Sequence, residues 1–152
     1  LRQCTGFREK EGEVLAGKLG AYADKIQELL GRVEKLDPVR IEKIRTRIRK
    51  NVVEFFGHEG FDPNRLEQEI LFYAEKLDTH EERVRLRAHL DYFREVLKED
   101  TSNGKKLGFI TQEIGREINT LGSKANDAEI QRDVVRMKEE LEKIKEQLNN
   151  VL

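Results

Sequence analysis

The sequence predicts an all-α fold, an elongated bundle of about six helices. Charged residues make up 39% of the chain and aromatic residues only 7%, and there is no Trp. A composition rich in Glu, Lys, Arg and Leu with few strand-forming residues is typical of long amphipathic helices. Apolar residues also recur at helical spacing along the chain. With 152 residues, we expect one helical domain over residues 1–152.

The first part of the chain predicts two helices in succession. Leucines at helical spacing predict a first helix over roughly residues 5–34. Asp37-Pro38 then resembles an N-cap followed by a first helical residue. We therefore expect a second helix to begin there and to end at Gly57.

The middle of the chain predicts two further helices. Asp62-Pro63 repeats the start signal and predicts a helix over residues 63–77. Its expected apolar face consists of Leu66, Ile70, Tyr73, Ala74 and Leu77. Thr79 with Glu82 three residues later matches a capping box, which predicts a helix to about residue 99.

The last third of the chain predicts a fifth and a sixth helix. The fifth is expected over residues 105–121, ended by Gly122, and the sixth from residue 126 or 127 towards the C-terminus. The sixth helix carries a seam close to a heptad repeat, so we expect it to be long, antiparallel to a neighbour and coiled-coil-like. The seam residues are Ile130, Val134, Met137, Leu141, Ile144 and Leu148.

Several classes of protein are excluded by what the sequence lacks. A single cysteine, Cys4, permits no internal disulfide and fits a reducing compartment. No apolar run reaches the ~20 residues that span a bilayer, so we expect no membrane partner. The sequence also lacks the glycine-rich nucleotide-binding motifs and the paired His or Cys motifs of zinc sites.

The helix predicted over residues 79–99 carries ionisable groups on its apolar face. Glu82 and His89 share an arc with the leucines of this helix, and Arg85 lies at its border. Charged groups on a buried face are costly unless they are paired or bind an ion. The arrangement fits either a structural ion network or a functional site.

The polar side of the helix over residues 105–121 is a second candidate. Glu113 and Glu117 are one turn apart and could share a divalent cation. Arg116, Thr120 and Ser123 form an adjacent row suited to a phosphate group. The alternative is an ordinary solvated face with ion pairs such as Glu113 to Arg116.

A basic segment supplies a third candidate. Residues 39–51 hold six basic residues against one acidic residue, Glu42. Among them, Arg40, Arg45 and Arg47 could follow a phosphate backbone along one helix, although a solvated face is the simpler interpretation.

These residues resemble the signature of the YicC-type endoribonucleases. Its core motif is Gln-Glu-x-x-Arg-Glu-x-Asn-Thr-x-x-Ser-Lys, and the matching positions are Gln112, Glu113, Arg116, Glu117, Asn119, Thr120, Ser123 and Lys124. An upstream block matches at Asp78, Glu81, Glu82, Arg85, Leu86 and His89. Further blocks match at residues 65–69, at Arg8, Glu11, Gly12 and Leu15, and at residues 143–150.

The resemblance covers the C-terminal part of a family member and implies a cytoplasmic bacterial endoribonuclease. It further implies a divalent metal, Mn²⁺ or Mg²⁺, RNA as partner, and a homo-oligomer that is compatible with a hexamer for the full-length protein. Two positions depart from the family pattern, Gly108 in place of an Asp and Gly115 in place of an Asn. A role for either missing side chain in relatives would imply a rearranged or inactive site here.

On this basis each candidate residue receives an expected role. Acid–base or other catalytic roles are expected for Glu113, Glu117, His89 and Arg116, and metal binding for Glu82, Glu113, Glu117 and His89. Contacts with RNA are expected for Arg85, Asn119, Thr120, Ser123, Lys124, Arg40, Arg45 and Arg47. Three alternatives remain open: metal-free cleavage with His89 as general base, a non-catalytic helical module that oligomerises and binds RNA or protein, and a purely structural bundle.

Overall fold

A computed structural model describes residues 12–57, 59–99 and 103–151 of the chain. Every regular element in these residues is an α-helix, which confirms the all-α prediction. The helices are α1 (Gly12–Phe56), α2 (Pro63–Leu77), α3 (His80–Leu97), α4 (Gly104–Lys124) and α5 (Ala128–Val151). The predicted start of the first helix near residue 5, together with Cys4, Arg8 and Glu11, lies outside the described residues.

Helix α1 corrects the predicted number of about six helices. The two helices expected on either side of Asp37-Pro38 are one helix of 45 residues, roughly 67 Å long. Asp37 is 1% exposed and does not cap a helix, because its carboxylate accepts hydrogen bonds from Arg40 and Thr79. Pro38 lies inside the helix, where its ring removes one backbone hydrogen bond. These tertiary contacts keep α1 continuous despite a local start signal.

The predicted starts of the next two helices are confirmed, but the capping box is wrong. Asp62 caps α2 and accepts a hydrogen bond from the backbone of Asn64. Thr79 occupies the N-cap position of α3 without capping it through its side chain. The hydroxyl of Thr79 instead donates to Asp37, and Glu82 pairs with Lys124, so neither half of the box forms.

The core lies between α1, α3, α4 and α5. Its large, fully buried side chains include Phe93, Leu30, Leu86, Ile114, Ile118 and Met137. Burying one such side chain stabilises the fold by about 1.5–3 kcal/mol. The seam of α5 is buried along its whole length, as predicted, against α1 and α4 of the same chain. The apolar seam that suggested a coiled coil therefore forms part of the internal core.

Helix α4 continues three residues beyond its predicted end at residue 121, and this extension shapes the candidate site. A Cβ atom at Gly122 would lie 3.0 Å from Cγ1 of Val134 on α5, so this glycine permits close packing rather than ending the helix. The extra residues keep Lys124 on the helix and beside α3.

Helix α2 packs outside this core against the C-terminal half of α1. Its buried residues are Ile70 and Ala74, whereas Tyr73, predicted on the same face, is 48% exposed. The outer surface of α2 also exposes Leu71 and Phe72. None of the helices in the described part of the chain has both the length and the apolar character required to cross a membrane.

Candidate functional site between α3 and α4

Helices α3 and α4 run antiparallel and bring two predicted sets of residues together. Lys106 lies 3.6 Å from Glu99 near one end of the pair, and Lys124 lies 2.8 Å from Glu82 at the other. This register places the first half of α3 opposite the last half of α4. The upstream block and the core motif of the sequence therefore meet in space.

Arg85 is the centre of the cluster. Its Nε atom donates to both carboxylate oxygens of Glu117, at 3.0 and 2.8 Å. Its NH1 group donates to Glu81 at 3.3 Å, and its NH2 group lies 3.7 Å from Glu82. The hydrogen bond to Glu117 is the main cause that raises the pKa of Arg85, so its guanidinium stays charged.

Two of these carboxylates are buried, and one of them is incompletely paired. The side chains of Glu82 and Glu117 are 3% and 7% exposed, whereas that of Arg85 is 49% exposed. One oxygen of Glu82 accepts from Lys124 at 2.8 Å. Its other oxygen, Oε1, is buried without a hydrogen-bond partner. A buried carboxylate oxygen without a donor is costly, which is a feature that functional sites share.

Arg40 supports this cluster from inside the protein. Its Nε donates to Asp37 at 2.6 Å, its NH1 to the carbonyl of Lys124 at 3.2 Å, and its NH2 to the carbonyl of Leu77 at 2.5 Å. Carbonyls at helix C-termini need such donors because no further turn supplies them. Arg40 is only 4% exposed, so it does not lie on an exposed phosphate track as the sequence suggested.

The network of Asp37, Arg40 and Thr79 is the part that sequence reasoning missed. Asp37 joins α1 to the start of α3, because it accepts from the hydroxyl of Thr79 at 2.5 Å. The available signal was their spacing, since Asp37 and Arg40 are three residues apart and continue the apolar stripe that passes through Val33. Polar residues in the line of a buried stripe indicate an internal ion pair.

Most polar side chains on the outer side of α4 form hydrogen bonds or ion pairs within α4 itself. Arg116 lies 3.7 Å from Glu113, and their side chains are 74% and 27% exposed. Thr120 donates to the carbonyl of Arg116, and Ser123 donates to the carbonyl of Thr120. Asn119 is exposed. Arg116 is therefore the most accessible charged group of this row.

His89 lies one helical turn beyond Arg85 on α3. Because Arg85 faces Glu117 in an antiparallel pair, His89 lies at the level of Glu113, one turn before Glu117 on α4. The imidazole is half-buried, and no residue in the described ranges is hydrogen-bonded to it. It does not cap a backbone group of the described residues.

The predicted metal ligands do not form a preassembled ion site. Residues 12–57, 59–99 and 103–151 contain no group of three or more His, Cys, Asp or Glu side chains that could hold a metal ion. Arg85 lies between Glu82 and Glu117 and contacts both. The donors present therefore do not fit a resident divalent cation.

The two remaining arginines of the predicted RNA track differ in their surroundings. Arg47 is exposed, whereas Arg45 is half-buried in a cleft between α1 and α2. Neither forms an ion pair or hydrogen bond with the described residues.

The two departures from the family pattern also receive a structural interpretation. A Cβ atom at Gly115 would lie 3.1 Å from Leu141 on α5, so this position faces α5. A Cβ atom at Gly108 would meet nothing within 4 Å. Neither glycine removes a side chain from the cluster of Arg85 and Glu117.

Comparison with known proteins gives a consistent result. Residues 33–152 match the family described as "Endoribonuclease YicC-like, C-terminal". The chain is 36% identical over 152 residues to a protein of Clostridioides difficile (strain 630) named "Probable endoribonuclease YicC", covering 99% of this chain and 52% of that protein. It is 33% identical over 151 residues to a protein of the same name from Haemophilus influenzae, with the same two coverages. The chain thus spans about half the length of these relatives. It belongs to the YicC-like endoribonuclease family and corresponds to the C-terminal region of that family.

Proposed function

We propose that this chain provides RNA-cleaving helices of an endoribonuclease, an enzyme that breaks internal phosphodiester bonds of RNA. The observation that carries the proposal is the geometry of Arg85. Its Nε is held by the buried Glu117, while its side chain remains half-exposed. Two relatives that span this chain are named as probable endoribonucleases, which supports the same activity.

Arg85 is oriented to bind a phosphate group. Glu117 fixes the orientation of the guanidinium through Nε, so that NH1 lies beside the exposed Glu81 and NH2 beside the buried Glu82. The contact of NH1 with Glu81 is a surface ion pair, because Glu81 is 79% exposed, and such pairs are weak. A phosphate can replace Glu81 and form charge-assisted hydrogen bonds with Arg85. Arg116 and Lys124 add positive charge from α4.

His89 supplies the proton transfer in this proposal. A neutral imidazole accepts a proton near neutral pH, and His89 lies one turn from Arg85. The 2′-oxygen of the RNA attacks phosphorus while His89 takes the 2′-hydroxyl proton. The bond from phosphorus to the 5′-oxygen breaks, and this oxygen takes a proton from water. The products are a 2′,3′-cyclic phosphate end and a 5′-hydroxyl end. Arg85 and Arg116 stabilise the added negative charge.

The remaining residues position or bind in this scheme. Glu117 holds Arg85, and Glu113 holds Arg116. Asn119 is available to the RNA backbone, whereas Thr120 and Ser123 can donate to it only by releasing bonds to their own helix. Arg47 extends the RNA contact along α1.

A cytoplasmic location and homo-oligomerisation, compatible with a hexamer for the whole protein, belong to the same proposal through the family resemblance, which also implies a divalent metal. The metal requirement is not carried by preassembled ligands of the described residues. Cleavage measured with Mn²⁺, with Mg²⁺ and with EDTA tests it directly. Light scattering of the chain and of the whole protein tests the assembly.

The principal experiment maps RNA ends produced by the wild-type chain and by three variants, His89→Gln, Arg116→Gln and Arg136→Gln. We expect cleavage that leaves cyclic phosphate ends and is strongly reduced in the first two variants. Arg136 is exposed on α5 without an ion pair to the described residues, so its variant controls for lost charge. Hydrolytic ends with full loss in EDTA would replace the His89 step by a metal-dependent one. RNA that stays intact with the chain and with the whole protein would overturn the proposal.

A second candidate function is a non-catalytic helical module that oligomerises and binds RNA or protein. It is favoured by the hydrogen bonding on the surface of α4, because the hydroxyls of Thr120 and Ser123 already donate to carbonyls of their own helix. RNA binding without a change in RNA length would select this function. A purely structural bundle would show neither binding nor cleavage.

A further inference from the structure

A cleft between α1 and α2 lies apart from the α3–α4 cluster. It has a volume of about 260 Å³ and is lined by Arg45, Arg49, Glu67, Gln68, Ile70 and Leu71. Ile70 and the half-exposed Leu71 give the cleft an apolar surface, while the other four side chains supply hydrogen-bonding groups. A concave surface with a few convergent polar groups is the usual form of a small-ligand site.

Arg45 is the unusual residue of this cleft. Its Nε atom is buried and has no hydrogen-bond partner. The whole guanidinium lacks a hydrogen bond or ion pair with the described residues, although Glu67 is near enough for the charge of Arg45 to lower the pKa of Glu67. A guanidinium has five donors in a fixed plane, and burying the Nε–H of Arg45 without an acceptor is costly. The cleft therefore lacks a hydrogen-bond acceptor for the Nε–H of Arg45.

Glu67, which also lines the cleft, provides hydrogen-bond acceptors. Arg49 donates to Glu67 through Nε and through NH2, both at 2.8 Å. Each carboxylate oxygen keeps a second lone pair, so Glu67 can still accept hydrogen bonds. Among the charged residues that line the cleft, Glu67 pairs with Arg49, which leaves Arg45 beside a carboxylate that can still accept. A carboxylate next to Arg45 disfavours a phosphate and favours a ligand with donors and acceptors side by side.

We propose that the α1–α2 cleft binds one unstacked guanine base of the RNA, with Arg45 donating to guanine O6 and N7 and Glu67 accepting from N1–H and N2–H. Arginine is the side chain that most often pairs with the O6 and N7 edge of guanine. Unstacked bases of single-stranded RNA are read on their edges in this way. Ile70 and Leu71 provide the apolar surface for the base. The cleft then determines which sequences reach the cluster at Arg85, and in this respect the inference rests on the proposed function.

The test measures binding of short single-stranded RNAs that carry one G, A, inosine or 7-deazaguanine at the same position. The cleavable 2′-hydroxyls are replaced by 2′-O-methyl groups, so that binding is measured without cleavage. We expect the G-containing RNA to bind roughly tenfold more tightly than the A-containing RNA. Inosine lacks N2–H and 7-deazaguanine lacks N7, so each is expected to lose part of this preference.

Two variants assign the preference to the cleft. Arg45→Gln is expected to remove the sensitivity to 7-deazaguanine, and Glu67→Gln the sensitivity to inosine, while Arg136→Gln on α5 retains both. Arg45 forms no hydrogen bond or ion pair with the described residues, so its variant is expected to keep the wild-type unfolding midpoint.

The outcomes separate this inference from the proposed function. Equal affinity for G and A, or a preference that survives in both cleft variants, would overturn the guanine site even if the protein cuts RNA. A preference that depends on Arg45 and Glu67 without cleavage of unmodified RNA would sustain the guanine site and reject the nuclease. Cleft variants that change the molecular mass in light scattering and leave base preference unchanged would identify a protein interface and overturn the inference.

Discussion

Two arginines in the C-terminal half of α1, Arg40 and Arg45, have opposite surroundings. Arg40 is 4% exposed, and its guanidinium donates to Asp37 and to carbonyls at the ends of α2 and α4. Arg45, five residues later, makes no hydrogen bond or ion pair with the described part of the chain. Arg40 lies where α1 meets the ends of α2 and α4, whereas Arg45 lines the cleft between α1 and α2. Burial, rather than residue type, decides whether a basic residue stabilises the fold or remains available to a ligand.

Replacing the two arginines by methionine is the strongest test of this comparison. Arg40→Met removes the nearer of the two cations beside the buried Asp37 and leaves only Arg83, at 3.9 Å, and breaking a buried pair costs about 3–5 kcal/mol. Arg45→Met removes no hydrogen bond or ion pair with the described residues, so we expect a change within about 0.5 kcal/mol. Urea unfolding followed by circular dichroism measures both.

The double variant Asp37→Asn with Arg40→Met separates a lost charge pair from lost packing. Because it removes both charges, we expect it to recover part of the stability of the single Arg40 variant. An Arg40→Met protein as stable as the Arg45→Met protein would show that the network at the junction of α1, α2 and α4 contributes little.

Activity provides the second test, because the α3–α4 cluster is fixed and half-exposed. Arg85→Gln removes the guanidinium that we expect to contact the phosphate, and losing one such donor lowers kcat roughly 100-fold. Arg136→Gln removes an exposed arginine elsewhere and is expected to cleave at the wild-type rate. Initial rates of RNA cleavage at saturating RNA compare the three proteins. If Arg85→Gln retains wild-type kcat with a raised KM, Arg85 binds RNA without acting in the transition state.

Gly108 and Gly115, the two positions that depart from the family pattern, test where α4 is tightly packed. Gly115→Asn places a side chain against Leu141, which lies 3.1 Å from the added Cβ, and overpacking of this kind costs about 1–3 kcal/mol. Gly108→Asp meets open space, so its stability is expected to stay within about 0.5 kcal/mol of wild type. Thermal unfolding distinguishes the two. A neutral Gly115→Asn variant would mean that α5 can shift to accept the side chain found in relatives.

Sequence reasoning succeeded where periodicity determines the answer and failed where distant residues decide it. The stripe of α5 and the cap at Asp62 depend on neighbours in sequence, and both were predicted correctly. Asp37-Pro38 carries a strong local start signal, but contacts with Thr79, 42 residues away, keep the helix continuous. The pairing of Arg85 with Glu117 likewise depends on the register of two antiparallel helices. Glu82 was predicted as a metal ligand or as a partner in an ion network with Arg85, and only the fold shows that Lys124 lies beside it.

The exposed pair of Arg49 and Glu67 gives the smallest expected effect and sharpens the contrast with buried Asp37. The hydrogen bond that Arg49 donates to Glu67 is the main cause that lowers the pKa of Glu67 from the ordinary value of 4.5. A lowered carboxyl pKa contributes stability above the unfolded-state pKa, and this contribution is lost as the pH falls through the folded-state value. Carbon-detected NMR titration is expected to place the Glu67 midpoint below 4.5 and to return it upwards in Arg49→Gln. Because both side chains are half-exposed, at 41% and 56%, salt screens the pair and moves the midpoint in the same direction. If the Glu67 midpoint changes neither with salt concentration nor in Arg49→Gln, Arg49 and Glu67 are not paired in solution. Glu67 would then be free to contact Arg45 directly.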